Sequence, residues 1–230
     1  MEVRRTDTPD VAAAQHLTLL IEGHEGDTLC FLAGGSAMNI YKHLHLAENM
    51  KGRTIFCMGD ERWSREPKDN NYLQLCALAP DFVRDHQVID TAVLEDENLH
   101  SYAKRINDQI EKIISEKNNV NIICPRGIGP DEHTASIFPL DEKHFHEAYD
   151  IDSTYVPVSV AGLTIDSRAS LTPQFIANAH HLIGYVSGDA KATKLDELIN
   201  TNQELNEMPA QILKRHKDAV VFTDITDWTS

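Results

Sequence analysis

Apolar residues along this chain follow an alternating pattern, and that pattern constrains the fold more than any other feature of the sequence. Short runs rich in β-branched side chains are followed by longer stretches whose apolar residues recur at helical spacing. This alternation is typical of βαβ units, in which a helix connects two parallel strands. The sequence therefore predicts an α/β protein with a mainly parallel, open sheet flanked by helices.

The predicted elements are spread over all 230 residues. Strands are expected at residues 27–33, 54–58, 120–124, 155–161, 181–187 and 219–223. Helices are expected at residues 10–22, 36–47, 70–78, 95–116, 173–179 and 189–199, with a short one begun by Pro209. No internal repeat and no linker rich in Pro or Gly separates them, so residues 1–230 are predicted to form a single domain.

Composition and charge exclude several classes of protein. Asp and Glu total 36 against 21 for Lys and Arg, and the formal net charge of −15 repels a phosphate backbone, so we expect no nucleic-acid partner. No apolar run approaches the roughly 20 residues of a membrane helix, so no membrane partner is expected. The N-terminal segment lacks the apolar core of a secretory signal, which favours a cytoplasmic location. The cysteines have no paired CxxC spacing, which excludes a zinc ribbon. Three of them lie in apolar runs, which indicates core residues: Cys30, Cys57 and Cys124.

Ligands of open parallel sheets bind beyond the carboxyl ends of the strands, so the loops at those ends are the candidate sites. Gly34-Gly35-Ser36 opens a predicted helix, where backbone N–H groups and the Ser hydroxyl could hold an anion; an ordinary turn is the alternative. Gly59-Asp60-Glu61-Arg62 could form the rim of a site, with Arg62 binding a phosphate or carboxylate; a solvated turn is the alternative. Neither segment is a P-loop or a GxGxxG motif, so no ATP or NAD site is indicated.

The most informative segment runs from Gly127 to Pro139. Its Gly-x-Gly turn would bring Asp131 and His133 to the mouth of the sheet. An imidazole can take a proton from water near neutral pH, and a neighbouring carboxylate can orient the ring, so the two residues are a candidate acid–base pair. The alternative is a histidine that makes only local hydrogen bonds.

Together these segments resemble the 6-phosphogluconolactonases. The resemblance is carried, in order, by Leu32-Ala-Gly-Gly-Ser36 with Tyr41, Gly59-Asp-Glu-Arg62 with Asn71-Tyr72, and Gly127-Ile-Gly-Pro-Asp131 with His133-Thr-Ala-Ser-Ile-Phe-Pro139. Similar segments continue through residues 167–172, Asn178, Gly188, Lys191-Ala192 and residues 208–213. The wider superfamily includes glucosamine-6-phosphate deaminases, but the Gly-Asp-Glu-Arg and His-Thr-Ala-Ser segments favour the lactonase branch. The resemblance implies a modified Rossmann-like, three-layer fold of the sugar-phosphate isomerase/lactonase type.

The resemblance also implies roles for individual residues. His133 would be the general base that activates water against the lactone carbonyl, with Asp131 beside it. The substrate and its phosphate would be bound by Gly34, Gly35, Ser36, Asp60, Arg62, Arg168 and Lys191. No cofactor and no metal are implied, and the expected partner is a small sugar phosphate, bound by a monomer or a weak homodimer. The implied reaction is the hydrolysis of 6-phosphoglucono-δ-lactone to 6-phosphogluconate in the pentose phosphate pathway.

Several positions depart from the family pattern. Ala37-Met38 stand where the family has Thr-Pro, Glu132 replaces a Gly between the acid and the histidine, Pro125-Arg126 precede the turn, and Asn70 replaces a Ser. If position 132 has a positive φ, Glu there costs about 1 kcal/mol or more. Two other functions therefore stay open: a glucosamine-6-phosphate deaminase or isomerase, and a sugar-phosphate-binding protein with weakened catalysis. A large gain in hydrolysis on Glu132→Gly would indicate a damaged site.

Overall fold

A computed structural model describes residues 1–117 and 119–226. The strands in this part of the chain are β1 (Glu2–Arg5), β2 (Thr28–Leu32), β3 (Thr54–Met58), β4 (Asp60–Arg62), β5 (Gln87–Val88), β6 (Asn121–Gly127), β7 (Tyr155–Ser159), β8 (Ser167–Leu171), β9 (His181–Val186) and β10 (Ala219–Thr223). The α-helices are α1 (Pro9–Glu22), α2 (Glu48–Lys51), α3 (Asn71–Leu78), α4 (Pro80–Asp85), α5 (Leu99–Glu116), α6 (Glu142–Tyr149), α7 (Pro173–Ala177), α8 (Ala192–Asn200) and α9 (Gln211–Arg215). Two 3-10 segments span Gly35–His43 and Asp189–Lys191.

The described strands form a seven-stranded sheet in the order β1-β10-β9-β6-β2-β3-β5, and every pair in it is parallel. Along β2, Leu29 and Phe31 face one buried cluster while Cys30 and Leu32 face the other. Because both faces are covered, the strand is apolar throughout instead of alternating with polar residues. The predicted α/β class and the mainly parallel sheet are confirmed.

Different elements cover the two faces of the sheet. Helix α1, the segment Gly35–His43, α3 and α4 contribute to the cluster on one face. Helices α5, α8 and α9 pack on the other face, together with a three-stranded antiparallel sheet in the order β4-β8-β7. The small sheet continues directly from the main one, because Gly59 alone separates β3 from β4.

Several predicted elements are wrong in type or place. The predicted strand at residues 155–161 is real as β7, but it belongs to the antiparallel sheet and not to the parallel one. The predicted helix at residues 36–47 is the 3-10 segment Gly35–His43, followed by the separate short helix α2. The unpredicted elements are β1, β4, β5, β8, α4 and α6; α6 begins where Asp141 accepts a hydrogen bond from the His144 backbone N–H at 3.2 Å.

A crevice opens between β2 and β6 at the carboxyl end of the main sheet. These strands are paired only as far as Cys30 and Ile123, whereas β6 stays paired with β9 up to Gly127. Chain connections run in opposite directions from this point, β2 to β3 on one side and β6 to β9 on the other. Such a reversal is where open α/β sheets bind ligands. In the described residues, no helix is both long and apolar enough to cross a bilayer.

Candidate active site

An open cleft of ≈ 170 Å³ lies over this crevice. The cleft brings together eight of the nine predicted site residues, from five separate parts of the sequence: Gly34, Gly35, Ser36, Asp60, Arg62, His133, Arg168 and Lys191. The ninth, Asp131, stands behind His133 and makes a hydrogen bond with its ring.

His133 and Asp131 form the acid–base pair that the sequence predicts. The Nδ1 of His133 donates to the Asp131 carboxylate, since an ionised carboxylate can only accept. That bond is the main reason why the pKa of Asp131 is lowered. With Nδ1 carrying the proton, Nε2 is left as the acceptor. Gly129 makes the arrangement possible, because a Cβ at that position would lie 2.2 Å from the imidazole.

Glu132, the departure inside the catalytic turn, points away from the cleft. It has a φ of 70°, in the left-handed region, and its carboxylate accepts a hydrogen bond from Lys194 at 2.5 Å. Lys194 also donates to Glu197 of α8 at 2.9 Å. The backbone carbonyl of Glu132 accepts a hydrogen bond from the Ala210 N–H at 3.1 Å. Glu132 therefore ties the turn to α8 and to the segment before α9.

The glycine loop after β2 forms one wall of the cleft. Gly35 has a φ of 62°, and a Cβ on Gly34 would lie 2.6 Å from the Asn71 side chain, so neither position tolerates a larger residue without a shift. The Lys191 ammonium reaches across to donate to the Ser36 hydroxyl at 3.4 Å. Burial lowers the pKa of Lys191. The loop thus presents a hydroxyl, an ammonium and exposed backbone to a ligand.

Arg62 and Arg168 face each other on the small sheet. They are direct partners in the antiparallel pairing of β4 with β8. Like charges at directly opposed positions destabilise a sheet, so this register is unfavourable unless an anion joins the two guanidiniums. Burial lowers the pKa of Arg168, the Asp60 carboxylate acts in the opposite direction, and the charge of Arg62 lowers that pKa further. The pair therefore favours an anionic ligand.

Phe138 lies between Arg168 of the cationic wall and His133. The Arg168 guanidinium lies 5.3 Å from the centre of its ring, and the His133 ring lies 4.8 Å from it on centroids. The guanidinium and the imidazole are therefore held at a fixed separation by one aromatic side chain. Sequence reasoning quoted Phe138 as part of the motif but assigned it no role.

The two acidic residues of the Gly59-Asp60-Glu61-Arg62 segment are both buried, but their carboxylates face different parts of the molecule. Asp60 lies in the cleft and accepts a hydrogen bond from the Ser136 hydroxyl at 2.9 Å. Glu61 points into the protein, where it accepts from the backbone N–H groups of Arg62, Asn71 and Tyr72. Burial raises the pKa of Glu61 to about 8 despite these donors. The segment is a strand with a structural acid, not a solvated turn.

Arg126 lines the cleft as well, and sequence reasoning missed it as a site residue. It is 0% exposed and lies at the end of β6. A charged residue at the end of a buried strand is unusual, and this could have marked Arg126 as a site residue. In the sequence analysis Arg126 was noted only as a departure from the family pattern.

Metal-ligating side chains are not grouped in the part of the chain that the structure describes. Among residues 1–117 and 119–226, no three or more His, Cys, Asp or Glu side chains lie where they could hold an ion. The exposed His144 makes a hydrogen bond with Asp141. Three cysteines are buried as predicted, but Cys76 is only partly buried.

The fold and the cleft define a class of protein: an α/β protein with a cleft lined by cationic side chains where its sheet order reverses, and with a histidine–carboxylate pair beside it. The family model described as glucosamine-6-phosphate isomerases/6-phosphogluconolactonase matches residues 10–222. The chain therefore belongs to this family, and the resemblance read from the sequence is confirmed.

Individual relatives agree with this assignment. The chain is similar to the 6-phosphogluconolactonase of Borreliella burgdorferi, with 25% identity over 206 residues that cover 84% of this chain and 82% of the relative. Its fold is similar to the 6-phosphogluconolactonase structure from Plasmodium vivax, at a TM-score of 0.77 and 17% identity, covering 99% and 91% of the two chains. It is also similar to that from Thermotoga maritima, at a TM-score of 0.76 and 18% identity, covering 96% and 98%.

Proposed function

We propose that this chain hydrolyses 6-phosphogluconolactone to 6-phosphogluconate, with His133 as the base that activates water. One observation carries the proposal: a histidine oriented by a carboxylate shares a single cleft with arginine and lysine side chains drawn from separate loops. Family membership and the names of the relatives support the same reaction.

The proposed chemistry begins with a water molecule at Nε2 of His133. Because Nδ1 donates to Asp131, Nε2 removes the water proton as its oxygen attacks the lactone carbonyl carbon. The bond between that carbon and the ring oxygen then breaks, and the imidazolium returns the proton to the departing oxygen. Asp131 orients the ring and stabilises its charged form. Arg62 and backbone N–H groups of the cleft stabilise the negative charge on the carbonyl oxygen in the transition state.

The phosphate is the group that positions the substrate. Lys191, Ser36 and the backbone N–H groups after Gly34 would bind it on one wall, and Arg168 would bind it from the other. Asp60 cannot serve the phosphate, because its carboxylate would repel a dianion; we assign it instead to a hydroxyl group of the sugar. This narrows the substrate-binding role that the family resemblance implies for Asp60.

The assay that tests the proposal measures hydrolysis of fresh lactone, corrected for spontaneous opening. We expect His133→Ala to lower kcat/KM by about 10² to 10⁴, the contribution typical of a positioned base. His144→Ala is the matched control, because His144 makes a similar bond with Asp141 outside the cleft. Wild-type protein that does not exceed the spontaneous rate would refute the proposed activity.

The family description also names glucosamine-6-phosphate isomerases, so deamination is the second candidate. The same histidine–carboxylate pair could transfer protons on an open-chain sugar. Release of ammonia from glucosamine 6-phosphate, without lactone hydrolysis, would favour it. One of the two departures that motivate a protein with weakened catalysis loses its force, since the Glu132 carboxylate is bound to Lys194; the other, Ala37-Met38, remains.

We further infer a cytoplasmic protein that binds sugar phosphates and not nucleic acids, in which residues 1–230 act as one domain and the chain is a monomer or a weak homodimer. The net charge of −15 supports the absence of a nucleic-acid partner. Sedimentation of the purified protein over a range of concentrations tests its oligomeric state.

A further inference from the structure

Arg126 is a buried cation whose hydrogen bonds are incomplete. Its Nη1 donates to the backbone carbonyls of Pro125 at 2.7 Å and Phe31 at 3.3 Å. Its Nε and Nη2 have no hydrogen-bond partner among the residues that the structure describes. Two carbonyl contacts therefore leave part of a five-donor guanidinium unused.

No carboxylate of the described chain lies within ion-pair distance of Arg126; Asp60 lines the same cleft, but its carboxylate accepts from Ser136. The charge of Arg126 acts on the buried thiols of Cys30, Cys57 and Cys124 and on the buried hydroxyl of Tyr41. Burial raises the pKa of each, to about 11 for Cys124, so they are neutral near pH 7. An unbalanced buried charge is strongly unfavourable unless a ligand supplies the counter-charge.

The position of the guanidinium connects it to the cleft. It occupies the gap that opens where β2 and β6 cease to pair, and it lies against the end of β3, where a Cβ on Gly59 would be 2.3 Å from Nη1. Arg126 lines the same cleft as Ser36 and Lys191. It therefore forms part of the floor beneath the phosphate-binding wall.

We propose that Arg126 is an additional determinant of phosphate recognition, a fixed positive charge in the floor of the cleft that is balanced when a sugar phosphate binds. A guanidinium is charged at every step of a reaction, so its counter-charge is a group that is ionised whenever ligand is present. The phosphate meets this condition, whereas an oxyanion exists only transiently. The inference uses the proposed function for the identity of the ligand, but the charge imbalance is independent of it.

The test compares Arg126→Gln with wild type by calorimetric titration with 6-phosphogluconate and with inorganic phosphate. Gln loses the charge but keeps an amide donor for a backbone carbonyl. We expect the Kd for 6-phosphogluconate to rise about tenfold or more, as for loss of a charged contact. Arg53→Met is the matched control: Arg53 also donates to a carbonyl, that of Gly26 at 2.7 Å, but it precedes β3 at the opposite end of the sheet. Its Kd should equal that of wild type.

A kinetic arm separates phosphate recognition from a structural role. With phosphorylated lactone, Arg126→Gln should raise KM about tenfold and change kcat less than about threefold. With unphosphorylated glucono-δ-lactone, kcat/KM should stay at the wild-type value. An unchanged Kd for 6-phosphogluconate, or an equal loss with both lactones, would overturn the inference. If Arg126→Gln binds 6-phosphogluconate more weakly than wild type, and the wild-type protein has no lactonase activity, this inference stands and the proposed function is refuted.

Arg126→Lys keeps the test decisive if Arg126→Gln does not fold. Lys retains the charge but cannot donate as a planar fork. A Kd within about threefold of wild type supports a role for charge. A tenfold or larger rise in the Kd of folded Arg126→Lys would refute the role of charge, because this variant keeps the charge and changes only the geometry of the contacts with the carbonyls.

Discussion

Glu132→Gly is the substitution on which the sequence and the structure disagree. The sequence alone allows that the acidic side chain harms the site, in which case its removal would give a large gain in hydrolysis. In the structure the carboxylate is bound to Lys194 and does not line the cleft. We therefore expect kcat/KM of Glu132→Gly to stay within about threefold of wild type, which corresponds to less than about 1 kcal/mol.

The effect on stability combines two opposing contributions. A non-glycine residue at a φ of 70° costs about 1 to 2 kcal/mol, which Gly would recover. The ion pair that Gly would lose joins side chains that are 20% and 25% exposed, and such pairs contribute at most about 1 kcal/mol. Lys194 also keeps Glu197 as a partner. The free energy of unfolding should change by less than about 1 kcal/mol, so Tm should move by no more than about 2 to 4 °C.

Glu132→Ala separates the two contributions, because it loses the ion pair but keeps the positive φ. It should be less stable than Glu132→Gly by about 1 kcal/mol, measured by urea unfolding of both variants. A tenfold or larger rise in kcat/KM for Glu132→Gly would refute the reasoning, since it would mean that the carboxylate acts on the substrate. Equal stability of the two variants would show that the turn does not hold this φ.

Two further substitutions test the neighbouring geometry. Burial raises the pKa of Glu61 to about 8 from 4.5, so its neutral form is favoured by folding, and the free energy of unfolding should decline as pH rises from about 4.5 to about 8. Glu61→Gln should flatten that decline in urea unfolding measured across this pH range; an unchanged slope would contradict the assignment. Gly129→Ala would place a Cβ 2.2 Å from the His133 imidazole and should lower kcat by about 10² in the lactonase assay. Gly52→Ala is its control, because nothing lies within 4 Å of that Cβ, and equal losses in both variants would refute the steric argument.

The main sheet could be predicted because its strands are buried on both faces. Residues 54–58 and 219–223 coincide with β3 and β10, since continuous apolar runs leave little freedom in their boundaries. The small sheet could not be predicted in the same way. Its strand β4 consists of Asp60, Glu61 and Arg62, whose charges indicate a turn, and its pairing with β8 joins residues about a hundred positions apart. Such a register is decided by tertiary packing and not by local pattern.

The candidate site was predicted to a greater extent than the small sheet that supports it. His133 and Lys191 were placed correctly because both follow strands of the parallel sheet, whose carboxyl ends meet. Arg126 was not assigned, because its role depends on where the pairing of β2 with β6 stops, and that is invisible in the sequence. The direction of the Glu132 side chain also could not be predicted, because it depends on Lys194, which lies 62 residues away in the sequence.

The overall charge and the local charge of this protein have opposite signs, and the topology explains how. A net charge of −15 repels an anion at a distance, yet Arg62, Arg126, Arg168 and Lys191 all line one cleft. Arg126 and Lys191 reach the cleft because they lie at or beyond the carboxyl ends of strands in the main sheet. Arg62 reaches it because the antiparallel pairing of β4 with β8 places it opposite Arg168. In the unliganded state these cations repel one another, so a bound phosphate relieves repulsion as well as forming hydrogen bonds. Ligand should therefore stabilise the fold, in keeping with the linkage between binding and unfolding.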